Sequence, residues 1–169
     1  MIQRKSINNA VIVLIILLLL PSFAGAITSI SGGPNFPTGG KFKDSHDTGI
    51  GLGLGIGIHS AKSVQVFFKF GFTTFTTDDY SPILLSSGIS LLLGANPEKI
   101  SPYFSADFSL AYHQTAWNEQ NVTPMFKLGV GLITGPLKHA PVFFEVGFGF
   151  YPDDLTAIYI PVRVGLMIN

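Results

Sequence analysis

The sequence predicts an all-β protein, an eight-stranded antiparallel up-and-down transmembrane β-barrel whose apolar face is turned toward lipid. Three observations predict this fold: faultless alternation between Thr48 and Ile58, the same alternation in several later segments, and a composition that suits strands in a bilayer. The chain has 169 residues, enough for one domain, with no cysteine and with 10 basic and 10 acidic residues. Because the later apolar segments lack helical periodicity, their backbone polar groups must pair between strands, and in a bilayer only a closed barrel pairs them all.

The segment Thr48–Ile58 alternates large aliphatic residues with glycine. Successive side chains of a strand point to opposite faces, so one face carries isoleucine and leucine and the other carries only glycine. Glycine weakens a strand interior and usually marks tight curvature or close approach by another group. We therefore expect the glycine face to look into a crowded lumen.

The first 26 residues have the three parts of a secretory signal. Arg4 and Lys5 form the charged region, Val11–Leu20 forms the apolar core, and residues 21–26 end in an Ala-x-Ala cleavage site. The apolar core is shorter than the roughly 20 residues of a transmembrane helix. The sequence therefore predicts a signal peptide over residues 1–26 and a barrel domain over residues 27–169.

The remaining chain divides into eight segments with strand-like patterns, separated by stretches rich in glycine, proline, asparagine and aspartate. Most of these segments reach the 9 to 11 or so residues that a tilted spanning strand requires. An even number of strands puts both termini at one end of the barrel. The predicted strands are 27–33, 48–59, 63–76, 83–94, 101–115, 122–134, 141–151 and 156–168.

One face of the later strands is uniformly apolar, and the opposite face carries the charges that lie in mid-strand. An eight-stranded barrel is only wide enough for side chains to fill its interior, so charges on the inner face must pair or be hydrated. We interpret them as a structural network that closes the lumen, with a gate for ions or small solutes as the alternative. The predicted network consists of Lys69, Asp107, Lys127, Glu145 and Arg163.

An apolar outer face with a polar inner face is typical of membrane barrels. The alternative is a soluble sandwich or a periplasmic barrel that binds a small apolar ligand and turns its apolar face inward. Such a protein would present mostly glycine and a few charges to water, which is a poor surface for solubility.

The connections at the end away from the termini are acidic, with seven acidic residues and two lysines. We expect these connections to form a solvated extracellular rim, although carboxylate pairs could also hold a divalent cation. The histidines show no metal-ligand spacing, the glycine runs form no phosphate-binding loop, and no basic patch for nucleic acid is evident. We therefore expect no cofactor, no metal and no nucleic acid. The predicted acidic loop residues are Asp44, Asp47, Asp78, Asp79, Glu119, Asp153 and Asp154.

Four segments carry a family resemblance: residues 33–39, 48–58, 100–103 and 159–166. With them the chain resembles the small eight-stranded outer-membrane barrels, that is, the OmpA-type transmembrane domain and the opacity-protein-like barrels. The resemblance implies an integral bacterial outer-membrane protein with a structural, surface-interaction or limited, porin-like solute-passage role and no catalysis. It also implies a monomer that contacts outer-membrane lipid and lipopolysaccharide and is inserted by the barrel-insertion machinery. The chain departs from the family at its end, because Asn169 stands where such barrels usually carry an aromatic residue.

A lipid-modifying barrel enzyme is a further alternative. His113, Thr115 and Glu119 supply a base, a hydroxyl and a carboxylate close together in sequence. Catalysis requires these groups to converge within hydrogen-bond reach on the membrane-facing surface. Strand parity places His113 inside the barrel, which disfavours this alternative.

Overall fold

A computed structural model describes most of the chain after residue 25. The described residues are 26–39, 43–44, 47–61, 63–76, 83–96, 99–116, 119–134, 140–151 and 157–168, and side chains are described in these ranges except at 26, 58–61, 113–116, 119–121 and 157. The signal peptide prediction falls almost entirely outside them. The eight strands are β1 (Ala26–Gly39), β2 (Gly49–Ala61), β3 (Val64–Phe75), β4 (Ile83–Leu93), β5 (Ser101–Ala116), β6 (Glu119–Thr134), β7 (Val142–Tyr151) and β8 (Ala157–Ile168).

The strands form one closed antiparallel barrel in chain order, and β8 pairs with β1 to complete it. The predicted fold class and number of strands are thus confirmed. The described residues contain no helix that is both long and apolar enough to cross a membrane.

The outer face of the barrel is apolar, as the sequence predicts. Leu52, Leu128 and Val146 point outward and are 59%, 65% and 50% exposed. Glu145, which adjoins Val146 in sequence, is only 4% exposed and points into the lumen. This is the reverse of the arrangement that a soluble barrel with an apolar interior requires.

Glycines on the inner face lie opposite aromatic rings of neighbouring strands. Tyr103 stands directly across from Gly131 in the β5–β6 register, and a Cβ atom on that glycine would collide with the ring. Tyr159 covers Gly149 in the same way. The same pairing of ring and glycine recurs at Gly49 and Phe75, Gly57 and Phe67, and Gly165 and Phe143. The crowded lumen expected from the glycine pattern is therefore filled largely by aromatic side chains.

The interior has an apolar cluster at each end and a polar layer between them. The terminal-end cluster, near the chain termini, consists of Ile27, Phe67, Leu92, Ala95, Tyr103, Ile133, Phe143 and Met167. The loop-end cluster, at the opposite end, consists of Phe75, Leu84, Ala111 and Tyr151, with Met125 packed against it. Between them lies the layer of charged and hydroxyl side chains.

Three strand boundaries differ from the sequence prediction by more than one residue. The prediction ends β1 at Gly33, but the strand continues through Pro34 to Gly39. β2 extends to Ala61, and β6 begins at Glu119, which was predicted to lie in a loop. Proline and glycine usually indicate a turn in a sequence. A barrel strand tolerates them where its backbone groups still form hydrogen bonds, either with the strand on its other side or with a side chain.

Candidate functional site

The charged side chains predicted for the lumen do face it, and four of them form a continuous chain. Lys127 Nζ lies 2.7 Å from Asp107 Oδ2 and 2.6 Å from Glu145 Oε1. Lys69 Nζ lies 3.4 Å from each oxygen of Asp107. The order Lys69, Asp107, Lys127, Glu145 alternates in sign across β3, β5, β6 and β7. We refer to these four residues as the charge chain.

Uncharged side chains complete the hydrogen bonding of the two carboxylates. Ser90 Oγ on β4 donates to Asp107 Oδ1 at 2.5 Å, and Tyr103 OH donates to Glu145 Oε2 at 3.2 Å. Each of the four carboxylate oxygens therefore has a donor. Buried ions are tolerated when they are paired and their remaining lone pairs are satisfied, so the charge chain suits a structural role in the lumen.

Arg163 does not join the charge chain, although it stands directly opposite Glu145 in the β7–β8 register. Its Nη2 donates to Asn35 Oδ1 at 2.7 Å, and its Nη1 lies 3.2 Å from the carbonyl oxygens of Gly33 and Pro34. Among the described residues, no carboxylate forms an ion pair with this guanidinium. Arg163 therefore lies on the predicted inner face without joining the ion pairs that connect the other four charges.

The position of Arg163 follows from an interruption in the β1–β8 ladder. The register is the same at Gly32 opposite Val164 and at Asn35 opposite Pro161, so Gly33 lies opposite Arg163 and Pro34 opposite Val162, but these two positions form no ladder pair. Proline has no backbone N–H to donate, and φ at Gly33 is +156°. Buried carbonyl oxygens need donors, and the guanidinium supplies them.

Gly51 on β2 makes room for these groups. A Cβ atom on Gly51 would lie 2.5 Å from Arg163 Nη2, 2.8 Å from Asn35 Nδ2 and 3.0 Å from Thr73 Oγ1. Three polar groups from β1, β3 and β8 thus converge over one glycine. We refer to Arg163, Asn35 and Thr73 as the arginine site.

The polar layer encloses a small cavity. Its volume is about 90 Å³, and Arg163, Lys69 and Thr73 all contribute to its wall. Several serines and Tyr159 also line it, together with glycines and apolar side chains such as Phe143 and Leu84. With apolar clusters above and below it, the space is suited to water or a small ion.

The remaining predicted site residues divide into two groups. Asp44 and Asp47 are exposed at the end of the barrel away from the termini, as expected. Asp78, Asp79, Asp153 and Asp154 lie outside the described residues, as do the side chains of His113, Thr115 and Glu119. The described part of the chain contains no cluster of residues suited to a metal ion.

Several residues of the lumen could not be identified from sequence alone. Asn35 falls in a stretch that reads as a turn, and Ser90 and Tyr103 are uncharged residues of ordinary strands. Strand parity does put Ser90 and Tyr103 on the inner face, but only the register shows that they reach the two carboxylates.

No protein-family model matches this sequence, and no curated protein matches it. Solved structures do match its fold. Neisserial surface protein A has a TM-score of 0.61 at 10% sequence identity, covering 85% of this chain and 95% of that one. The N-terminal β-barrel domain of Pseudomonas aeruginosa OprF has a TM-score of 0.55 at 13% identity, covering 85% and 98%.

The outer membrane enzyme PagL is also similar, with a TM-score of 0.52 at 12% identity over 85% of this chain and 99% of that one. The same fold therefore occurs in an enzyme and in proteins whose names state no activity. At these sequence identities the comparisons establish the architecture alone. The function has to be argued from the residues of the site. The chain has the fold of the small eight-stranded barrels of bacterial outer membranes.

Proposed function

We propose that this protein is an integral outer-membrane barrel with a closed lumen and no catalytic activity. Its role lies in the connections at the end away from the termini, through surface interaction, or in the structure of the envelope itself. The observation that carries the proposal is the inverted distribution of polarity, with an apolar belt outside and charges inside.

The outer belt supports a membrane location. Exposed isoleucine, leucine, valine and phenylalanine side chains occur on all eight strands. Soluble proteins rarely expose contiguous apolar patches larger than a few hundred Å². A belt around a whole barrel is stable only against hydrocarbon.

The contents of the lumen support a closed barrel over solute passage. A mobile ion would have to pass two apolar clusters and the charge chain between them. The cavity between the clusters, bounded by Phe143 at one end and Leu84 at the other, has a volume of about 90 Å³.

The proposed partners follow from this location. The apolar belt contacts outer-membrane lipid, and the rim at the end away from the termini contacts lipopolysaccharide. A closed barrel has no free strand edge for pairing with another copy, which supports a monomer. The same location implies insertion by the cellular machinery for outer-membrane barrels.

The absence of cysteine allows a direct test of location and orientation. Asp44 and Lys99 are both exposed and lie at opposite ends of the barrel. In intact cells, a membrane-impermeant maleimide should label Asp44→Cys and leave Lys99→Cys unlabelled, whereas both should react after the outer membrane is permeabilised. Labelling of Lys99→Cys alone would reverse the orientation, and recovery of the protein in a detergent-free periplasmic extract would overturn the membrane location.

The absence of catalysis is tested separately. Lipid A from cells that contain the protein should have the same mass spectrum as lipid A from cells that lack it. A mass change that depends on His113 would instead support the lipid-modifying enzyme.

A further inference from the structure

The charges that face the lumen do not balance. Within the described part of the chain, three basic side chains and two acidic side chains point inward. The charge chain is neutral as a unit, so the excess positive charge belongs to Arg163. A charge withdrawn from water without a counter-charge is unfavourable, and the half-buried guanidinium of Arg163 lies between two apolar clusters.

The hydrogen bonds of Arg163 do not remove this charge. Its acceptors are the Asn35 amide oxygen and the backbone carbonyls of Gly33, Pro34 and Val162, all of which are neutral. These acceptors orient the guanidinium, but they leave the layer one unit positive.

A second donor in the same place has no partner. Asn35 is fully buried, and its Nδ2 makes no hydrogen bond. The amide cannot be turned over, because Oδ1 is the atom that accepts from Arg163. An N–H group buried without an acceptor is destabilising, which indicates that an acceptor belongs beside it.

The adjoining cavity offers further donors. Ser109 lines this cavity and its Oγ also has no partner. Tyr159, another lining residue, donates its hydroxyl only to the thioether sulfur of Met125 at 3.0 Å, and a thioether is a weak acceptor.

We propose that the lumen binds one small monovalent anion of the halide class at the arginine site, with Arg163, Asn35 and Thr73 as its ligands. Such an ion accepts from all three donors and neutralises the excess charge, whereas a water molecule could satisfy Asn35 but would leave the charge unbalanced. The cavity volume of about 90 Å³ excludes large organic anions. The three ligands converge over Gly51, which has no side chain to separate them, and Arg163 and Thr73 also line the cavity.

Bromide provides the direct probe, because its anomalous scattering distinguishes it from water. Crystals of the wild-type protein grown in sodium bromide should show one anomalous peak within hydrogen-bond distance of Arg163 and Asn35. Only water at this position, at a bromide concentration that labels other surface sites, would overturn the proposal.

A matched pair of variants at Thr73 tests the charge itself. Thr73→Asp supplies a carboxylate from the protein, so the bromide peak should disappear while the barrel still folds. Thr73→Asn has nearly the same size without the charge and should retain the peak. A peak that persists in Thr73→Asp would show that electroneutrality does not determine binding.

Thermal unfolding in detergent, followed by circular dichroism, gives the corresponding result in solution. Because a ligand that binds only the folded state stabilises it, wild type should melt at a higher temperature in sodium chloride than in sodium gluconate of equal ionic strength. Thr73→Asp should melt at the same temperature in both salts. Equal melting temperatures for wild type in the two salts would contradict an anion site.

Discussion

Lys127 is the central residue of the lumen, because it contacts both carboxylates of the charge chain. Lys69 contacts only Asp107, at 3.4 Å, and its side chain is 31% exposed. The two lysines thus provide a matched comparison of a tightly held and a loosely held cation within one network.

We expect Lys127→Met to lower the free energy of unfolding by about 3 to 5 kcal/mol, the usual effect of leaving buried partners unpaired. Lys69→Met should have a clearly smaller effect, since Asp107 would keep Lys127 and Ser90 as partners. Urea titration of the protein folded into lipid vesicles measures both. Equal losses for the two variants would mean that Lys127 is not the centre of the network.

Val146 tests the lipid-facing surface in the middle of a strand. Val146→Arg should destabilise the folded barrel by about 2 to 4 kcal/mol if this side chain lies near the bilayer midplane. Ile100→Arg, at the rim beyond β4, should lower stability by only about 0 to 1 kcal/mol. The same vesicle titration compares them, and similar losses at both positions would contradict the placement of the belt.

At the scale of single residues, sequence predicts which face a side chain occupies but not which partner it meets. Alternation placed Lys69, Asp107 and Glu145 inside without error. It could not show that Arg163 turns away from Glu145, because that depends on two carbonyl oxygens of β1 at a point where the β1–β8 ladder is interrupted.

Among the strands, an aromatic ring repeatedly packs over a glycine of the neighbouring strand. A ring can lie over the backbone of the neighbouring strand only where the residue opposite lacks a side chain, and such cover protects glycine in sheets. Such packing of a ring over a glycine occurs at Gly49 and Gly57 of β2, at Gly131 of β6 and at Gly149 of β7.

Gly131→Ala should therefore destabilise the barrel, because its Cβ atom would occupy the space of the Tyr103 ring. Overpacking of this kind costs about 1 to 3 kcal/mol. Gly32→Ala is the control: its Cβ atom would be 3.1 Å from Leu52 Cδ2, the end of a flexible side chain on the outer face. Thermal melting in detergent distinguishes the two. Because Tyr103→Leu also removes the hydrogen bond to Glu145, the double variant is compared with Tyr103→Leu alone, and Gly131→Ala should cost less in that background than in wild type. Equal costs in both backgrounds would rule out the ring as the cause.

The later strands were predictable from sequence because their alternation continues to their ends. The full length of β1 was not predictable, because Gly33, Pro34 and Pro37 are residue types that usually indicate turns or loops. β1 nevertheless stays extended, since its pairing with β2 is unbroken from Ala26 to Asn35. Pairing with a neighbouring strand thus outweighs the local preference of glycine and proline for turns.

For the whole barrel, closure of the lumen makes a clear electrical prediction. The purified wild-type protein should show no steady conductance in planar-bilayer recording. The Phe67→Ala, Phe143→Ala double variant should also be silent, because the charge chain and the loop-end cluster remain. Discrete conductance steps from the wild type, absent from protein-free membranes, would favour solute passage over a closed barrel.

The join between β1 and β8 has a consequence for how the barrel assembles and opens. Arg163 holds carbonyl oxygens about 130 positions earlier in the chain, so its contacts have among the largest sequence separations in the molecule. Long-range pairings of this kind form late in folding. The first and last strands therefore meet around a side chain where the backbone ladder is incomplete, and amide exchange under native conditions should be fastest along this seam.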